Sequence, residues 1–169
     1  MEHLLQPFRG RHHVVKMELI ASGKQPPDWV TNGFNEYQRR LPPECALILT
    51  ECNTAKRIKG GRAADYQAAE EQILMRQIKA GSFVVALDKS GRQVSTEDLS
   101  SRLAGWLINY PKVQFLIGGP DGLSQNCLAR ADWVLSLSAL TFPHFMVRVM
   151  MAEQLYRAWS ILKNHPYHK

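Results

Sequence analysis

The sequence predicts an α/β protein: a parallel sheet with helices on both faces. Two observations carry that expectation. Short apolar runs alternate along the chain with longer stretches of helical period, and the runs are apolar at nearly every position, not every second one. A strand with one wet face alternates; a strand covered on both faces does not, and covering both faces takes two layers of helix. At 169 residues the chain is long enough to bury one core.

Residues 1–16 (MEHLLQPFRGRHHVVK) have no clean period and precede a second methionine. They are expected to be a poorly ordered extension, with residues 17–169 a single domain. Residues 17–22 (MELIAS) read as a buried first strand, ended by Gly23. Pro26-Pro27-Asp28 opens a helix on which Trp29, Val30, Phe34 and Tyr37 are spaced to share a face, and Pro42-Pro43 stops it. Residues 46–51 (ALILTE) form the second strand. A basic loop, residues 56–62 (KRIKGGR), leads into a helical stretch over residues 63–79.

The third strand, residues 82–88 (SFVVALD), is expected to end at Lys89-Ser90-Gly91. Thr96 is positioned to cap a helix running to Leu107, and residues 113–117 make the fourth strand. Ser124 caps a short helix to Arg130, residues 133–137 make the fifth strand, and residues 145–162 the last helix.

Composition narrows the function classes. A hydrophobic fraction of 45% and a charged fraction of 21% suit a soluble globular protein. No apolar run approaches the ~20 residues needed to span a bilayer, so a cytoplasmic protein is expected. The three cysteines are odd in number and show no Cys-x-x-Cys pair, which argues for free thiols over a disulfide framework or a zinc site. Net charge is +6. From His144 to Lys169 the only acid is Glu153, against Arg148, Arg157, Lys163 and Lys169. That is either the footprint of a polyanion or a solvated helix face.

GGPDG, residues 118–122, follows a strand and precedes a helix, as phosphate-binding loops do. It matches neither glycine-rich phosphate motif, and Pro120 lacks an amide that a phosphate would need. Two readings remain: a tight turn that lets an uncharged ligand edge reach backbone, or a plain strand-to-helix turn. In LSLSALTFPH, residues 135–144, hydroxyls and free amides could hold a heteroaromatic ring, or Thr141 could cap the last helix with Pro143 in its first turn. Asp88 either binds a ribose hydroxyl or ends its strand. No Gly-x-Ser-x-Gly elbow, catalytic triad or carboxylate metal cluster is visible. The last helix is apolar around much of its circumference over residues 145–151, which suggests a homodimer interface. Arg148 and Glu153 interrupt that surface, paired with each other or with Arg148 reaching a ligand site. In the tail, residues 164–169 (NHPYHK), Tyr167 and His168 could stack on an unpaired base with Lys169 against phosphate, or the end could fray.

Taken together, FLIGGPDGLS (115–124), LSLSALTFPHFMVRVMMAEQLYRAW (135–159), NHPYH (164–168) and PDWVTNGFNEYQRRLP (27–42) resemble one family. It is the bacterial 23S rRNA (pseudouridine-N3)-methyltransferases, the large-subunit rRNA methyltransferase H group of the SPOUT superfamily. The resemblance runs from Met17 to the C-terminus. It implies a C-terminal trefoil knot, which pattern rules would not have given because they treat knots as near-absent. It further implies a homodimer that binds S-adenosylmethionine in a bent conformation, with no metal. By matching positions, Leu87, Gly118, Leu137, Ser138, Ala139, Leu140, Thr141 and Phe142 should contact the cofactor. The implied substrate is N3 of a pseudouridine in helix 69 of 23S rRNA, met in the assembled ribosome. Arg148, His144, Tyr167 and His168 are the candidates for positioning the base and the RNA. The competing readings are a catalytically silent ribosome-binding module, or the same chemistry on another RNA such as tRNA.

Overall fold

Five parallel strands in the order β2-β1-β4-β3-β5 form the spine of the molecule. The computed structural model describes residues 14–169. In chain order the elements are β1 (Lys16–Ser22), α1 (Asp28–Gln38), β2 (Leu47–Cys52), α2 (Ala63–Gln77) and β3 (Phe83–Arg92). Then come α3 (Thr96–Asn109), β4 (Lys112–Ile117), α4 (Gln125–Arg130), β5 (Trp133–Leu135) and α5 (His144–Leu162). The expectation for residues 1–13 lies outside the described residues. β1 starts one residue ahead of Met17, and Val15 before it is fully buried and donates its amide to Glu44 O at 2.9 Å.

The all-apolar strands divide their side chains between two cores, because successive residues of a strand point to opposite faces. Met17, Leu19 and Ala21 of β1, Val85 of β3 and Val113, Phe115 and Ile117 of β4 pack beneath α1, α3 and α5. Ile20, Val84, Ala86 and Leu116 pack on the other side with Leu74 of α2 and Cys127 of α4. The predicted double-sided α/β sheet is therefore what the chain builds.

Polar residues also enter this interior, and Glu18 shows how one is accommodated. It is 6% exposed and accepts from Thr50 Oγ1 at 2.6 Å, Gln114 Nε2 at 2.8 Å and Lys112 Nζ at 3.0 Å. Burial alone would push its carboxyl up, but these hydrogen bonds and the Lys112 charge together hold it below the ordinary value. All three cysteines are buried and unpaired. Burial, helped by the Glu44 charge, pushes the Cys45 thiol up to about 12, leaving it unreactive.

Several boundaries differ from the sequence reading, each for a local reason. α3 is capped by Ser95, not Thr96: Ser95 Oγ accepts from Asp98 N at 3.0 Å while Asp98 Oδ2 accepts from Ser95 N, a reciprocal pair that needs a three-residue spacing. Ser124 does cap α4, accepting from Cys127 N at 3.1 Å. On α1 the buried residues are Val30 and Phe34, whereas Trp29 is turned outward and 55% exposed. β3 runs through Lys89-Ser90-Gly91 instead of ending there. Asp88 accepts from Ser90 N at 2.9 Å within an irregularity, after which Arg92 pairs with the same Leu135 that Leu87 pairs with. A Cβ on Gly91 would lie 2.6 Å from the Leu135 carbonyl carbon, so glycine permits that approach. β5 stops at Leu135 because Ser136 Oγ bonds to Ser138 O at 3.0 Å and turns the chain away.

Candidate active site

β3 and β4 lie side by side, and the chain leaves them in opposite directions. After β3 it passes to α3 on one face of the sheet, and after β4 to α4 on the other. A crevice opens at the carboxyl ends of two strands so arranged, which is where open α/β sheets bind ligands. Here it is a cleft of about 260 Å³. Seven of the eight residues expected to contact a cofactor line it: Leu87, Gly118, Leu137, Ser138, Leu140, Thr141 and Phe142. Ala139 is not among the lining residues. Asp88, Pro120, His144 and Val147 also contribute.

The glycine turn forms the floor. Gly119 and Gly122 pair across it, with Gly122 N donating to Gly119 O at 2.9 Å and Gly122 at φ +80°. A Cβ on Gly118 would stand 2.5 Å from Gly122 C and 2.7 Å from Leu123 N. The turn thus folds onto Gly118 itself, which explains the glycine without any ligand. From below, Gln67 of α2 donates to Asp121 O at 2.7 Å, and the buried Glu70 carboxylate crowds Gly119, whose Cβ, if present, would be 2.6 Å from Oε2.

The facing wall is held by its own hydroxyls. Leu140 N donates to Ser138 Oγ at 3.0 Å, and Leu140 is left 71% exposed at the rim. Thr141 does not cap the last helix; α5 begins after Pro143 with no side-chain cap.

The four candidates for positioning a substrate are not brought together in one chain. His144 lines the cleft with its ring against Phe145, centroids 4.2 Å apart. Burial, then the charges of Arg148 and Arg57, hold its imidazole below the ordinary value, so it is neutral at pH 7. Arg148 is fully buried and faces away from the cleft: Nη1 donates to Glu51 Oε1 at 2.6 Å, Nη2 to Ser22 O at 3.1 Å and to Gly23 O. Its guanidinium also lies over the Phe145 ring, 4.7 Å from the centroid. Arg148 therefore ties the ends of β1 and β2 to the start of α5. It does not pair with Glu153, whose partner is Arg157, one helical turn on.

Tyr167 and His168 lie elsewhere. Tyr167 Oη donates to Glu153 Oε1 at 3.2 Å, and its ring packs 4.7 Å from that of Tyr156. Glu153 is nine residues along α5 from His144, roughly 13 Å at 1.5 Å per residue. Burial, a hydrogen bond with Tyr37 and the Glu153 charge raise the Tyr167 phenol, which stays protonated. His168 Nδ1 is 2.6 Å from His165 O.

A second cavity of about 470 Å³, which sequence reasoning missed, adjoins the cleft and shares Pro120 and His144 with it. Lys24, Lys56, Arg57 and Phe145 are among its walls. The signal for it was the basic run over residues 56–62.

Comparison with known proteins adds a family. Residues 15–168 match the family model described as "Predicted SPOUT methyltransferase". "Ribosomal RNA large subunit methyltransferase H" of Saccharophagus degradans is 48% identical over 155 residues, covering 92% of this chain and 100% of that protein. The protein of the same name from Thioalkalivibrio sulfidiphilus is 47% identical over 155 residues, covering 92% of this chain and 99% of that protein. A solved structure described as a probable methylase family protein from Haemophilus influenzae Rd KW20 shares the fold, with a TM-score of 0.53 at 11% identity over 94% of this chain and 72% of that chain.

Proposed function

The chain belongs to the SPOUT methyltransferase family, and from that premise we propose that it methylates N3 of a pseudouridine in helix 69 of 23S rRNA, in the assembled ribosome of the bacterial cytoplasm, using S-adenosylmethionine. One observation carries the reading: the glycine turn and the loop over residues 135–142, the stretches most specific to the family, close on a single cleft.

The residues of that cleft suit the cofactor. Leu87, Leu137 and Leu140 offer aliphatic walls for a purine face, and Asp88, whose Oδ1 accepts from Ser90 N and Oγ, has its second carboxylate oxygen left for a ribose hydroxyl in this reading. The glycine turn exposes backbone without the amide array that a phosphate would need, and this cofactor carries none. When bound, the cofactor supplies an electrophilic methyl group. The chain's own residues hold the base in line and manage its proton, so positioning is the main contribution. N3–H must lose that proton, and the neutral His144, which lines the cleft, has a ring nitrogen able to accept it. Arg148 acts through its neighbours, fixing Phe145 and the first turn of α5.

A homodimer completes the reading. Tyr167 and His168 do not reach their own cleft, and a two-fold pairing through the start of α5, where Met146, Val149 and Met150 are only half-buried, would bring one protomer's tail toward the other's cleft. The knot implied by the resemblance belongs to the same proposal.

The test is methyl transfer from labelled S-adenosylmethionine to ribosomes lacking the modification, with mass mapping of the product. The expected result is one methyl group on a helix 69 pseudouridine. Labelling of free tRNA but not ribosomes would replace the substrate. Ribosome binding with no cofactor bound at millimolar concentration would indicate a silent binding module.

A further inference from the structure

The loop between β2 and α2 carries four cations and no acid in seven residues, 56–62, and contributes no lining residue to the cleft. It is nevertheless firmly held. Tyr66 of α2 reaches beneath it, its hydroxyl accepting from Ile58 N at 3.1 Å and donating to Ile58 O at 2.9 Å. A Cβ on Gly61 would collide with that hydroxyl, so the glycine makes room for the tie. The Arg57 guanidinium lies 4.7 Å from the Tyr66 ring centroid and pairs with Asp121 of the glycine turn. Glu70, beneath Gly119, accepts from Ala55 N at 3.0 Å. One surface of α2 thus fixes both the basic loop and the floor of the cleft.

The cavity between this loop and α5 is chemically unlike the cleft beside it. Lys24, Lys56 and Arg57 wall it, and among the described residues Lys24 and Lys56 form no ion pair. On the opposite side stand the rings of His144 and Phe145. Gly23, at φ +105°, lets the backbone approach them: a Cβ there would be 3.2 Å from His144 Nε2 and 3.2 Å from Phe145 Cε1. Cations for phosphate and flat rings for an unpaired base are the two components of single-strand recognition.

Resting on the methyltransferase reading, we propose that this second cavity seats the RNA strand carrying the target base. Lys24, Lys56 and Arg57 take the flanking phosphates, and the Phe145 and His144 rings face the base where the cavity meets the cleft. Pro120 and His144, which border both cavities, then mark where N3 of the base meets the methyl group it takes from the sulfonium sulfur. No part of this seat requires the C-terminal tail of the same chain.

The test is the double variant Lys24→Gln/Lys56→Gln, compared with wild type and with Lys24→Arg/Lys56→Arg. Both lysines are exposed, so thermal melting should be unchanged. With ribosomes lacking the modification, KM should rise at least tenfold while kcat changes less than twofold, and the Arg variant should restore KM. Calorimetry with S-adenosylhomocysteine should give wild-type affinity. For a single-stranded, pseudouridine-containing oligoribonucleotide, the slope of log affinity against log salt should shrink by about 1.4, at ~0.7 for each phosphate no longer neutralised. Wild-type KM and salt slope in the Gln variant would overturn this assignment alone. Failure of the wild-type protein to methylate ribosomes would overturn the parent reading and this one with it.

Discussion

Gly118 carries two demands at once. It lines the cleft, yet its missing Cβ makes room for the backbone of Gly122 and Leu123 rather than for a ligand. Gly118→Ala should therefore lower both the melting temperature and the affinity for S-adenosylhomocysteine, the latter by tenfold or more. A variant that melts normally and loses only affinity in calorimetry would show that the ligand, not the turn, requires the glycine. Residue readings succeeded where chemistry was local, as with the Ser124 cap of α4; the Ser136 and Ser138 hydroxyls, read as possible holds for a heteroaromatic ring, bond instead within their own loop. Such readings failed where partners are remote. Arg148 and Glu51 are 97 residues apart, and no spacing rule joins them. The pairing of Glu153 with Arg157, four residues on, obeys a helical rule that the two readings of Arg148, paired with Glu153 or reaching a ligand site, overlooked.

Strands and helices were legible as types because buried strands are apolar throughout and helices are periodic. Their ends were less so. The overrun of β3 depends on Gly91 meeting the backbone of Leu135, and the early stop of β5 depends on Ser136 turning back to Ser138, both contacts that arise only after folding. The polar cluster joining β1, β2 and β4 gives a prediction at this scale. The Glu18 carboxyl titrates below its ordinary 4.5 in the folded state, so its stabilisation is present above about pH 4.5 and is lost as pH falls through the lowered value. Glu18→Gln should be less stable than wild type by about 1–3 kcal/mol at pH 7, the range for a hydrogen bond to a buried charge. The difference should shrink on acidification. Urea unfolding between pH 7 and pH 3 measures it, and a gap that stays constant would remove Glu18 from the acid sensitivity.

For the whole molecule, the strand order was beyond the sequence, because β1 and β4 pair across almost a hundred residues and the crevice exists only once β3 lies between β4 and β5. The tail shows the same limit: its composition suited a solvent-facing contact, but Tyr167 packs against Tyr156 and Glu153 and lies within reach of Tyr37. Removing residues 165–169 should consequently lower the melting temperature as well as ribosome methylation. Lys169→Ala should reduce methylation with melting unchanged. Equal melting of the truncated and full-length chains would show that Tyr167 adds nothing to the fold. The adjoining cavities have a consequence for inhibitor chemistry. Because Pro120 and His144 wall both, a single molecule with a neutral nucleoside head and an anionic arm would need only a short linker to span them. Binding of its second half would be intramolecular, strengthening attachment by on the order of 10²–10⁴ over either half alone.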